Sequence, residues 1–181
     1  MQRGTGSRPA VRVHGAGHGP QWDRITATRV GRVLEQYNLT WIEEPLDAYD
    51  AEGHAAFAAT LDTPIATGEM LTGVGEHTTL IEAGSSDSVQ PDAPRVGGIT
   101  PFLQIAAPAD HKGRAMAPHF VMEIHVHPSA ASPRTAWVEH LEWPEPMFNE
   151  RLEVRDGRNG WRLRRTAPVS VTLGQLRNVG R

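Results

Sequence analysis

Five polar residues recur along this 181-residue chain at intervals that match one β/α unit. Glu43, Glu69, Asp92, His119 and Glu139 each close a short strand-like stretch, and successive members are 26, 23, 27 and 20 residues apart. Strands are expected over 39–42, 64–67, 88–90 and 114–117, with a last one running into Glu139. Helices are expected over 23–37, 51–61, 75–83, 99–111 and 123–131. In the first of these, Ile25, Val30, Val33 and Leu34 fall on one side. Asp50 is a natural N-cap for the second. Repeated β-then-α units imply parallel strands joined by right-handed crossovers. The expected class is α/β, a partial (β/α) barrel of the TIM type. Its strands' carboxyl ends converge on one face, so five groups far apart in sequence would meet in one pocket.

Carboxylates at convergent positions suit a hard cation such as Mg2+, which takes oxygen ligands. A histidine facing them can act as acid or base. Singly, each residue also has an ordinary reading: a solvated loop acid, a turn initiator at Asp92, or a buried and satisfied histidine. The pair His125 and His127 stands two residues apart on a helix, where side chains do not face each other. We therefore read that pair as structural. His14 and His18 are read as incidental.

Composition limits the alternatives. Hydrophobic residues make up 39% and charged residues 22%, a globular profile. The net charge of −3 gives no reason to expect nucleic acid or an anionic membrane as partner. No apolar run nears the roughly 20 residues of a membrane-spanning helix. Cysteine is absent, which excludes disulfides, thiolate metal sites and a cysteine nucleophile and fits a cytoplasmic protein. Lys112 is the one lysine, so a mechanism that needs lysine must use it. Residues 1–20, rich in Gly, Arg and Pro, read as an irregular lead, 21–150 as the partial barrel, and 151–181 as a divergent tail with a strand-like run at 169–173.

The stretches WIEEPLDAYDAEGHAA, TPIATGEMLT, QPDAPRVGGITPFLQIAA, APHFVMEIHVH and WVEHLEW resemble consecutive blocks of the enolase superfamily. Within it they resemble the acid-sugar dehydratases of the mandelate racemase/muconate lactonizing enzyme subgroup. The likeness covers about 21–158, with five blocks in order and in register. It implies that Glu43 and Glu69 are Mg2+ ligands, that His119 is the catalytic histidine, and that Asp92 orients it. Glu139 would hydrogen-bond the substrate carboxylate as charge develops there. The implied reaction removes a proton alpha to a carboxylate and then loses water from an acid sugar.

The sequence also departs from that pattern. The capping domain, the first two barrel strands and the catalytic lysine are not found, and Lys112 precedes a strand instead of following one. Gly17 occupies the place of the first metal ligand, with Asp23 the nearest acid. The Mg2+ site is thus expected to be weakened, with Glu44 the first acid to consider as a replacement ligand. Open sheet edges and a lost opposing layer over Trp41, Ile65 and Val89 lead us to expect marginal stability or self-association. The chain alone is expected to be inactive, as the product of a truncated or frame-shifted gene or of a misplaced start. The alternatives are a non-catalytic remnant, a half-barrel that needs a partner chain, or a racemase with the same motifs.

Overall fold

The computed structural model describes residues 11–12, 22–135, 137–139, 141, 144–148, 154–155 and 158–159. Five strands form one parallel sheet in sequence order: β1 (Val11–Arg12), β2 (Ile42–Glu43), β3 (Ile65–Thr67), β4 (Ser88–Val89) and β5 (Ala115–Met116). Between and after them run α1 (Arg24–Leu34), α2 (Ala51–Ala58), α3 (Val74–Ala83), α4 (Ile99–His111) and α5 (Met122–Ala131). Beyond α5, Thr135 makes a parallel bridge to Met116, so the chain returns to the open edge of β5. A short antiparallel hairpin follows, β6 (Val154–Arg155) and β7 (Arg158–Asn159). Strand, helix and strand alternate, and sequential strands lie side by side, as in a portion of a (β/α) barrel.

Two features differ from the sequence reading of the ends. The lead contributes β1, which pairs with β2 at Val11↔Ile42 and Arg12↔Glu43. Its Gly-, Arg- and Pro-rich surroundings conceal a strand that the sheet edge stabilises. The tail contributes β6 and β7, whereas the run at 169–173 lies outside the described residues.

The sheet register sorts side chains onto two faces. Ile42 pairs with Ile65, Glu43 with Ala66, Ala66 with Ser88, and Ser88 with Ala115. Since successive residues point to opposite faces, Glu43, Ala66, Ser88 and Ala115 share the inner face. Ile42 and Ile65 pack outward with Ala27, Phe57 and Leu46. Val89 and Met116 pack outward with Leu80, Ile81, Phe102 and Ile105 of α3 and α4. Ile65 and Val89 therefore keep their packing partners, contrary to expectation, because they face the helical layer. Of the three residues expected inside, Trp41 alone is there. Its ring meets Trp137 edge-on, with centroids 5.9 Å apart.

α1 corrects the sequence reading of its buried face. Asp23 caps it by accepting the Thr26 N–H at 2.7 Å. Yet Ile25 is 73% exposed and Val33 55% exposed, while Ala27 and Gly31 are buried. These two small residues, four apart, let the helix lie close to α2. A Cβ on Gly31 would come within 2.7 Å of Leu61 Cδ1 and 2.9 Å of Phe57 Cζ. Across the same pair of helices, Arg24 donates to Asp50 at 2.8 Å, which holds the Asp50 carboxyl below its usual range. Asp50 also caps α2 through the Gly53 N–H, as expected.

Three histidines, His54, His77 and His125, are fully buried in this outer layer. Burial lowers the pKa of each, and that of His125 falls to about 4, although the nearby Asp92 carboxylate opposes the shift. A folded-state pKa below the unfolded value of roughly 6.5 means that the unfolded chain takes up protons first on acidification. The stabilisation is complete above that value and is lost as pH falls towards the folded pKa. His125 alone should cost about 2 kcal/mol between pH 7 and pH 5. Urea denaturation followed by Trp fluorescence should show a lower midpoint at pH 5. A midpoint unchanged across that range would mean that the rings are not held neutral by burial.

Candidate active site

The ends of β2, β3, β4 and β5 bring Glu43, Glu69, Asp92 and His119 to one rim. At the end of β2, Glu43 turns inward with Trp41, whose indole N–H donates to Glu43 Oε2 at 2.9 Å. Gln90, just past β4, donates its amide to the same oxygen at 3.0 Å. Glu44 turns the other way. Its Oε1 accepts the Thr67 hydroxyl and the Gly68 N–H, both at 2.7 Å, and the residue is buried. Two charge-assisted hydrogen bonds hold it in a left-handed backbone conformation, with φ 46°. Glu44 is thus engaged through Oε1 at the end of β3, on the side where Thr67 lies.

The same bonds help to place Glu69. Gly68 has φ 120°, a conformation open to glycine, and it carries the chain from β3 over the rim. Glu44 fixes its N–H, while His77 Nε2 lies 3.1 Å from its carbonyl oxygen. The other His77 nitrogen lies 2.9 Å from the Gly73 carbonyl. A neutral ring donates to one of these carbonyls and rests against the other.

Asp92 follows β4 in a turn where its Oδ1 accepts the Arg95 N–H at 3.2 Å. His119 follows β5, and its own N–H donates to the Pro91 carbonyl at 3.3 Å. Next to it, Phe120 has φ 84° and stacks on the imidazole, with centroids 5.7 Å apart. The Phe120 N–H donates to Glu139 Oε2 at 2.6 Å, which ties the last predicted acid to this turn.

His119 is the centre of the arrangement. Its Nδ1 lies 3.6 Å from Asp92 Oδ2, and its Nε2 lies 3.5 Å from Glu69 Oε2 and 3.7 Å from Glu139 Oε2. These are ion-pair distances, slightly longer than hydrogen bonds. Four of the five predicted residues therefore meet around one ring. Glu43 reaches the group from the neighbouring strand end and is linked to the Asp92 segment through Gln90. Lys112 is exposed at the end of α4, before β5, at the opposite end of that strand from His119.

Sequence reasoning passed over His77 and Gln90 and considered Glu44 only as a metal ligand, yet all three make contacts that hold the rim in place. Their signals are tertiary, apart from the Gly68 that the turn after β3 requires. His127 is exposed and His125 buried, so the pair does not share a site, as helical spacing predicts.

Glu43 and Glu69 are both buried, Glu43 at the end of β2 and Glu69 just past the adjoining β3. Two carboxylates in that position are the donor chemistry that Mg2+ takes. Among the described residues, no group of three His, Cys, Asp or Glu forms that would hold a metal. The residues fit a Mg2+ site in part, as two of its oxygen ligands. No helix among the described residues is long and apolar enough to cross a membrane.

Comparison with known proteins bears on the family and the fold. L-talarate/galactarate dehydratase of Salmonella typhimurium is 67% identical over 138 residues, which is 76% of this chain and 35% of the relative. D-galactonate dehydratase of Ralstonia nicotianae is 43% identical over 88 residues, 49% of this chain and 23% of the relative. The crystal structure of L-talarate dehydratase from Polaromonas sp. JS666, complexed with Mg and L-glucarate, superposes with a TM-score of 0.78 at 61% identity. It covers 83% of this chain and 41% of that one. The chain thus spans about a third of the Salmonella typhimurium relative and about two fifths of the Polaromonas structure. The family model described as enolase C-terminal domain-like matches residues 4–161, so the likeness starts inside the lead that contributes β1. The chain belongs to the enolase C-terminal domain-like family, as part of its barrel.

Proposed function

We propose that this chain carries the catalytic rim of a Mg2+-dependent acid-sugar (aldarate) dehydratase. The observation that supports the reading best is the His119 ring, with Asp92 on one nitrogen and Glu69 and Glu139 on the other. A proton alpha to a carboxylate is weakly acidic, so its removal needs a placed base and stabilisation of the charge that develops. Asp92 on Nδ1 orients the imidazole and leaves Nε2 to face the substrate. Nε2 takes the α-proton, and the electron pair from that C–H bond expels the β-hydroxyl. The same nitrogen returns a proton to the hydroxyl, which leaves as water. The enol that remains tautomerises to a keto-deoxy acid.

Glu43 and Glu69 would hold Mg2+, which when bound supplies Lewis-acid stabilisation of the charged carboxylate. Glu139, oriented by the Phe120 N–H, would donate to that carboxylate when protonated. L-Talarate and galactarate are the first substrates to test, since the dehydratase named for both is 67% identical over the shared region.

Glu43 and Glu69 would be two metal ligands, and among the described residues no lysine stands on the rim. We therefore expect Mg2+ to bind weakly, because an octahedral ion held by two carboxylates keeps most of its waters. Titration calorimetry should give heats without clear saturation. Tight, stoichiometric binding would mean that a further ligand completes the site.

Dehydration of galactarate and L-talarate should be undetectable with the chain alone and should appear when the N-terminal portion of a related dehydratase is supplied. His119→Asn should lower the restored rate by about 100-fold or more, the usual worth of a general acid–base group. Turnover by the pure chain alone would overturn the requirement for a partner. Restored activity that survives His119→Asn would overturn the role of His119.

A further inference from the structure

His125 lies on α5, behind the rim, and the chemistry above does not use it. It is fully buried, and its ring packs at a tilt against Phe102, with centroids 5.8 Å apart. Its Nε2 accepts the N–H of Ala93 at 2.8 Å, across 32 residues of sequence. Ala93 is itself completely buried and directly follows Asp92. A buried N–H needs an acceptor, and here the acceptor comes from the helix that follows His119. Among the described residues, few hydrogen bonds set Asp92 in place. The Arg95 N–H engages its Oδ1, its own carbonyl accepts the Val96 N–H at 2.9 Å, and His125 fixes the peptide that joins it to Ala93.

We infer that His125 is a positioning residue, which holds the Asp92 segment so that the Asp92 carboxylate stays on Nδ1 of His119. The role requires a neutral ring with its proton on Nδ1, because Nε2 must remain an acceptor. Burial keeps the ring neutral at neutral pH, with its pKa lowered to about 4, and the Ala93 N–H on Nε2 leaves the proton to Nδ1. The alternative is that His125 only fills space between α5 and Phe102. A planar aromatic ring without the acceptor separates the two.

The inference rests on reading Asp92 and His119 as a functional pair, and the test keeps the two apart. The full chain, labelled with 15N-histidine, is examined at pH 7.5 by long-range 1H–15N correlation, with the His119 signals identified by their loss in His119→Asn. Asp92→Asn should move the His119 Nδ1 resonance. His125→Phe, which keeps the ring and removes the acceptor, should move it in the same direction. His125→Gln, whose side-chain carbonyl can accept the Ala93 N–H, should restore the wild-type position. If Asp92→Asn changes nothing, the pairing of Asp92 with His119 is wrong, and the inference falls with it. If Asp92→Asn shifts the resonance and a folded His125→Phe does not, the pairing stands and the positioning role is refuted. If His125→Phe fails to fold, His125→Leu, which also removes the acceptor for the Ala93 N–H, decides. A His119 signal shifted as in Asp92→Asn supports the role, and a wild-type signal overturns it.

Discussion

Everything at the rim depends on how the parallel strands are registered. With Glu43 opposite Ala66, and Ala66, Ser88 and Ala115 continuing the same row, one acidic side chain stands inside beside three small ones. The row's other face is large and apolar and is filled by the helices. A slip of one residue would exchange the faces. It would bury Glu43 among Phe57 and Leu46 and turn Ile42 to the polar interior. The burial of Ile42, Ile65, Val89 and Met116 thus fixes the inward direction of Glu43, and the rim chemistry follows from hydrophobic packing on the opposite side.

A second layer of polar contacts turns that coarse placement into a site. Glu44 and His77 hold the Gly68 peptide from its two ends, one on the N–H and one at the carbonyl. His125 holds the Ala93 N–H. Both anchored peptides adjoin a rim acid, Glu69 in one case and Asp92 in the other. The anchors lie in the outer, water-excluding layer, where an unsatisfied backbone group is costly, at about 1–3 kcal/mol. The rim acids can therefore keep their positions although they sit on turns.

Much of this is legible in the sequence, for identifiable reasons. The five rim residues stand out because one β/α unit has a nearly constant length, so strand ends recur at similar intervals. Asp50 as a cap and Ile99–His111 as a helix follow from local chemistry. The facing of Ile65 and Val89 does not, because strands buried on both sides lose the alternation that would reveal it. The contact face of α1 is hidden for the opposite reason: Ala27 and Gly31 leave no apolar signature, while the conspicuous Ile25 and Val33 point to solvent. Nor does any local pattern announce that Glu44 serves Gly68 or that His125 serves Ala93, since those partners are brought together only by the sheet.

The central claim is that Glu43, Glu69 and His119 share one rim and that Lys112 lies at the other end. Paramagnetic broadening by Mn2+, a divalent ion with similar ligand preferences, tests it even if binding is weak. At low Mn2+, the amides of Glu43, Gly68, Glu69 and Phe120 and the His119 ring should broaden together, while Asp87, Lys112 and Gly113 stay sharp. Glu43→Gln combined with Glu69→Gln should abolish the effect. Broadening that falls on Asp87 and Lys112, or that separates Glu43 and Glu69 from His119, would contradict the account.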